Sequence, residues 1–103
     1  MVRFVVLYPE PNDAAAFDRH YFDVHAPLAK RLPGLRNYTV SHGVTTTRGD
    51  GGWHLIAELD WDDMDSLRRD FSSELGKAAA ADLEELAKSC PGIQSMVFEL
   101  RAP

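Results

Sequence analysis

A single cysteine, Cys90, leaves the 103-residue chain unable to close an internal disulfide, and a reducing, cytoplasmic setting is the expectation that follows. Positive charge is also in short supply. The 11 lysines and arginines face 16 acidic residues, for a formal charge of -5, and they are dispersed, which argues against a phosphate-binding surface and a nucleic-acid partner. No apolar run approaches the length of a bilayer and no lipidation motif is visible, so no membrane association is expected. The apolar opening of the chain is interrupted by Pro9, Glu10 and Pro11 before any cleavage pattern, and reads as a strand rather than a signal peptide. A Gly-rich dinucleotide fingerprint is missing and no histidine pair has the short spacing of a zinc motif, so the sequence asks for no cofactor and no metal. What it does have is 45% hydrophobic residues over a length suited to one compact domain spanning 1–103, without linker, repeat or low-complexity segment.

That hydrophobic content is organised around residues 17–38, F-D-R-H-Y-F-D-V-H-A-P-L-A-K-R-L-P-G-L-R-N-Y. Phe17, Tyr21, Val24 and Leu28 recur at steps of four, three and four, which gives a helix one apolar side. His25 lies one turn after Tyr21 and two after Phe17, so its imidazole is aimed at or beside that buried side. Pro27 disfavours helical geometry at Ala26 and removes an amide donor, which predicts a break or kink just past His25. Leu32-Pro33-Gly34-Leu35 ends the segment, and the extended run that follows brings Tyr38 back to the same neighbourhood.

The remaining elements follow from periodicity and punctuation. Residues 2–8 form a first strand with apolar residues in both phases, as in a central strand covered on both faces. Asp13 caps the first helix, which runs to about Val24. Residues 35–47 read as a long second strand with Tyr38, Val40, His42 and Val44 on one face, followed by a glycine-rich hairpin connection over 48–52. Residues 53–61 are the third strand, with Trp53, Leu55, Ala57, Leu59 and Trp61 opposite His54, Ile56, Glu58 and Asp60. Asp62 or Asp63 caps a second helix in which Met64, Leu67 and Phe71 face inward and Asp65, Arg68, Arg69 and Asp70 face solvent. A break over 72–76 precedes a third helix over 77–89, and residues 93–100 are the last strand. The order of strand, helix, strand, strand, broken helix, strand predicts the α+β class: a ferredoxin-like βαββαβ unit whose four-stranded antiparallel sheet has helices on one side only. The uncovered face would be an apolar patch larger than a monomer tolerates, so a two-fold homodimer packed sheet to sheet is expected.

F-D-R-H-Y-F-D-V-H-A-P-L-A over 17–29, L-P-G-L-R-N-Y over 32–38, A-E-L-D-W-D-D-M-D-S-L over 57–67 and S-E-L-G-K-A-A-A-A-D-L over 73–83 together resemble the EthD family, within the dimeric α+β barrel superfamily. The resemblance covers nearly the whole chain. It implies a ferredoxin-like protomer, a sheet-to-sheet dimer and a cavity between sheet and helices. It does not imply one reaction, because relatives include methylmuconolactone isomerising enzymes, fungal decarboxylase or dehydratase-like proteins and a bacterial group tied genetically to ether degradation. Cofactor-independent quinone-forming monooxygenases share the wider superfamily.

Within that frame His25 is the candidate catalytic residue, since an imidazole trades protons near neutral pH; its other reading is a cap on the broken helix. Tyr21 and Tyr38 are placed to hydrogen-bond a substrate carbonyl or enolate oxygen, and equally to pack in the core. Phe17, His42 and His54 complete the candidate substrate-binding set, the two histidines depending on strand register. His20 reads as a solvated surface residue. Glu58 and Asp60 are either a second carboxylate base or ion-paired structure with Arg3 or Arg36. The methylmuconolactone isomerases use a second histidine and a cysteine, for which Cys90, near the end of the third helix, is no counterpart. The expected function is cofactor-independent proton-transfer chemistry (isomerisation, decarboxylation, cyclisation or oxygenation) on a small hydrophobic or aromatic carbonyl compound. A non-catalytic small-molecule carrier dimer and an accessory structural dimer are the alternatives.

Overall fold

The first strand, β1 (Val2–Pro9), occupies the middle of the sheet because both of its faces carry apolar side chains: Val2, Val6 and Tyr8 are buried, while Val5 and Leu7 lie half-covered on the opposite side. The computed structural model describes residues 1–103. From β1 the chain enters α1 (Ala14–His20), where the Asp13 carboxylate accepts from the Ala16 N–H at 3.1 Å as the N-cap.

Helical geometry then continues where a break was predicted. A π-helical turn, Tyr21–His25, leads straight into α2 (Ala26–Lys30), and Ala26 keeps helical angles (φ -60, ψ -43) while its N–H donates to the Tyr21 carbonyl five residues back. In a regular helix the Pro27 ring would press on the carbonyl four residues before it; the wider turn moves that carbonyl aside, so proline is accommodated rather than terminating. The extra residue also resets the helix phase. Val24, expected on the buried side, is 43% exposed, whereas Phe17, Tyr21, His25 and Ala29 are all buried. Steps of four drift by about 40° each in a uniform α-helix, and the wide turn takes up that drift.

β2 (Leu35–Val40) is shorter than the strand predicted over 35–47. The Ser41 hydroxyl ends its ladder by accepting from the Ile56 N–H at 2.9 Å, and Gly43, at φ 79, turns the chain away. β3 (Trp53–Trp61) has the predicted bounds. Tyr38 lies opposite Leu59 and Phe4 opposite Leu59 from the other side, the register shifts at Leu35/Asn37 and at Tyr8/Pro9, and the antiparallel sheet has the order β2-β3-β1-β4. Leu55, Ala57, Leu59 and Trp61 are buried in the phase that faces the helices.

α3 (Met64–Ser72) starts at Asp63, whose carboxylate accepts from the Ser66 N–H at 2.8 Å. α4 (Glu74–Ala87) begins before the predicted residue 77, because the Ser73 hydroxyl caps it by accepting from Gly76 at 3.1 Å. Gly76 is required at this corner: a Cβ there would sit against the backbone carbonyls of Asp70 and Phe71. Asp70, expected in solvent, is 3% exposed, and one of its oxygens accepts from Trp61 Nε1 at 2.7 Å and from the Gly34 N–H at 2.8 Å. It pins α3, β3 and the turn before β2 together. The reason lies in tertiary geometry, since α3 lays this turn of its helix over the sheet end rather than on the surface.

β4 (Gln94–Glu99) pairs with β1 along the sheet edge, and all six of its residues are exposed. On the helix-free face Met96 and Phe98, each 42% exposed, extend an apolar strip over Val5, Leu7 and Ile56. Beside it Arg3 makes a bidentate pair with Asp60 (2.8 and 3.0 Å), whose carboxylate also accepts from Asn37 at 3.2 Å. Cys90 is fully buried, its thiol directed at the Pro9 carbonyl at 3.2 Å.

Candidate functional site

A cavity of about 140 Å³ lies between the sheet and the helices. Phe4, Val6 and Tyr8 of β1, Tyr38 of β2 and Ala57, Leu59 and Trp61 of β3 form its floor. Tyr21 and His25 come from the π-helical turn, Ala29 and Leu32 from α2 and the turn after it. The fourth wall is α4, which contributes Gly76, Ala79, Ala80 and Leu83. No lysine, arginine, aspartate or glutamate reaches the lining, so a charged ligand would find no fixed charge of opposite sign on the cavity surface.

His25 is 9% exposed and is held from behind. Its Nδ1 lies 2.9 Å from Asp82 Oδ2, and the other carboxylate oxygen, Oδ1, lies 2.7 Å from His20 Nε2. With Asp82 accepting, the neutral His25 ring carries its proton on Nδ1, and its Nε2 lone pair has no protein partner and opens on the cavity. Burial pushes the His25 pKa below its ordinary 6.5; Asp82 works in the opposite direction without overcoming it, and His20 adds to the lowering. The neutral, proton-accepting ring is therefore the resting form at neutral pH.

His20 and Asp82 are the residues around His25 that sequence reasoning missed. His20 is not freely solvated: its side chain is 37% exposed and braces Asp82. Residues five apart point in different directions on an α-helix, but the π-helical turn between them brings His20 and His25 to one carboxylate. The only hint in the sequence was the D of the 73–83 segment, 57 residues from His25.

Opposite the imidazole, the Tyr21 and Tyr38 hydroxyls are 2.6 Å apart, and the Tyr21 ring centroid is 5.3 Å from that of His25. Burial raises both phenol pKa values, so both are O–H donors at neutral pH. One of the two hydroxyls donates to the other, which leaves one hydrogen of the pair free for a ligand oxygen.

The other candidates sit elsewhere. Phe17 is buried beneath the cavity, packed on the Tyr8 and Tyr21 rings at 5.4 and 6.0 Å, and supports the wall without lining it. His42 is exposed beyond the end of β2, so the strand face expected for it does not exist. His54 turns to α1, with Nε2 2.7 Å from Asp18 and its ring against Phe17, outside the cavity. Asp60 belongs to the Arg3 ion pair and Arg36 pairs with Asp62 at 2.8 Å, which resolves those carboxylates as structural.

A sheet of this order with a histidine in the hollow beneath its helices defines a ferredoxin-like α+β protein with a partly open, apolar cavity. The chain belongs to the EthD family: the EthD domain matches residues 9–89. An ethyl tert-butyl ether d (EthD) family protein from Bacillus halodurans is 35% identical, with 98% of this chain and 99% of that one aligned at a TM-score of 0.86. An uncharacterized 11.0 kDa protein from the thcB-thcC intergenic region of Rhodococcus erythropolis is 29% identical over 87 residues, 84% of either chain. SnoaB from Streptomyces nogalater, a cofactor-independent oxygenase, shares the fold at a TM-score of 0.73 and 20% identity, over 99% of this chain and 94% of its own.

Proposed function

We propose that the chain is a small-molecule enzyme that moves a proton on a compact hydrophobic or aromatic carbonyl compound without a cofactor. The observation that carries this is the His25 ring, fixed through Nδ1 by Asp82 with Nε2 open on an apolar cavity. In the proposed step Nε2 takes a proton from the carbon beside the carbonyl, the electron pair of that C–H bond moves onto the oxygen, and the free hydrogen of the Tyr21–Tyr38 pair supports the enolate. Asp82 stabilises the imidazolium while the charge lasts. Such an enolate is common to isomerisation, decarboxylation, cyclisation and, with dioxygen, oxygenation; the fold likeness to a cofactor-independent oxygenase is consistent with that set. In the test, solvent deuterium wash-in at the α-carbon of a bound one-ring ketone is followed by NMR. His25→Gln is expected to slow it by about a hundred- to ten-thousand-fold with binding retained. Wild-type protein that binds the ketone yet leaves exchange at background would favour a carrier instead.

The working unit in this proposal is a homodimer packed sheet to sheet, supported by the apolar strip of Val5, Leu7, Ile56, Met96 and Phe98 on the helix-free face. Ferredoxin-like proteins from Bacteroides fragilis and Thermobifida fusca with this fold are described as dimeric. Sedimentation equilibrium is expected to give twice the 11.5 kDa chain mass, and Phe98→Glu to return it to one. A wild-type monomer at micromolar concentration would rule the dimer out. The buried, unpaired Cys90 fits a reducing compartment such as the cytoplasm.

A further inference from the structure

Three polar groups of the cavity lining have hydrogen-bonding capacity left over, and together they describe a ligand. One is Nε2 of His25, an acceptor. Another is the hydrogen left over from the Tyr21–Tyr38 hydroxyl pair, a donor. The third is the Tyr8 hydroxyl, which has no part in the proton chemistry. Tyr8 is 1% exposed, no protein group hydrogen-bonds to its oxygen, and that oxygen is not sealed in, so the little of the residue that remains open is its polar end. Its ring is clamped edge-on by Phe17 at 5.4 Å and Tyr21 at 5.5 Å, which fixes where the hydroxyl points. A phenylalanine would fill that place equally well. A phenol O–H kept unpaired so deep in a fold calls for an occupant that completes it.

We propose that Tyr8 is a ligand-binding residue and that the cavity takes a neutral, single-ring compound with two oxygen functions, one of them a hydroxyl, as in a hydroxyaryl ketone. This rests on the reading of the cavity as a substrate site and narrows it. Size sets the ring count: about 140 Å³ is close to the room that one benzene ring takes, and the cavity is only partly closed, which leaves the ring's substituents room to extend. Charge sets neutrality, because a carboxylate inside would have no basic residue to pair with. The donors set the oxygens: Tyr8 donates to the ligand hydroxyl and the Tyr21–Tyr38 pair donates to the carbonyl, while His25 Nε2 stays open to the carbon-bound proton.

The test compares 3-hydroxyacetophenone, acetophenone and 3-hydroxybenzoate by calorimetry on wild-type and Tyr8→Phe protein, with the ¹⁵N signals of His25 as the reporter of site. The hydroxyketone is expected to bind about five- to tenfold more tightly than acetophenone, and the carboxylate at least about tenfold more weakly than the hydroxyketone. Tyr8→Phe is expected to weaken the hydroxyketone about five- to tenfold and leave the unfolding midpoint unchanged, since the fold does not use the hydroxyl. Equal binding by the variant, equal binding of the carboxylate, or a lowered midpoint in the variant overturns this inference and leaves the substrate-site reading standing. If none of the three binds or moves the His25 signals, both fall.

Discussion

Asp70→Ala is expected to cost about 3–5 kcal/mol of folding stability, as much as truncating a large core side chain. One buried carboxylate oxygen receives both the Trp61 indole N–H and the Gly34 amide, and neither donor has another partner within reach. Truncation strands two buried donors and opens a gap where three elements meet. For a domain of this length the melting temperature should fall on the order of 15–30 °C. Asp70→Asn keeps an acceptor in place and should lose much less. The measurement is urea unfolding followed by Trp61 fluorescence, and a loss under about 1 kcal/mol for the alanine variant would show that the carboxylate is not the tie described.

Asp82→Asn acts on chemistry in the way that Asp70→Ala acts on the fold. The carboxylate only accepts, which keeps the His25 proton on Nδ1; an amide in its place can donate, driving the proton to Nε2 and occupying the lone pair that faces the cavity. Proton abstraction should fall by about a hundred- to ten-thousand-fold with ligand affinity nearly unchanged. The titration of His25 gives a second readout. In the wild-type protein its midpoint should lie below 6.5, because burial disfavours the charged ring, and without Asp82 it should drop further. The folded ring resists protonation, so the stability it confers is complete above 6.5 and is lost as pH falls through its depressed folded value. Nitrogen-15 shifts of His25 report tautomer and midpoint together. An unchanged tautomer with unchanged turnover would reduce Asp82 to a packing residue.

The strands and caps were legible because their signals are local. Alternation over 53–61 sets both the bounds and the buried phase of β3, and Asp13 and Asp63 mark helix starts by their position alone. Half of the candidate site was legible for the same reason: Tyr21, His25 and Tyr38 sit in one stretch of sequence and do line one cavity. What escaped has a common cause. Assigning Val24 to the buried side assumes a uniform period of 3.6, which the π-helical turn violates, and the same assumption hid His20. Asp70 and Asp82 look like ordinary solvated acids on amphipathic helices until the packing of α3 and α4 brings each to a donor far away in the chain. Tyr8 reads as one more core residue of a central strand, and only its unpaired oxygen says otherwise.

α4 carries Asp82, and a little upstream it presents Ala79 and Ala80 to the same hollow. On the proposed function, what fits inside and how it is deprotonated are specified a few residues apart on one helix, yet by side chains that do not depend on each other. Trading those alanines for bulkier groups would narrow the range of admitted molecules while leaving the imidazole and its carboxylate untouched. A scaffold of this kind can change its diet without relearning its chemistry.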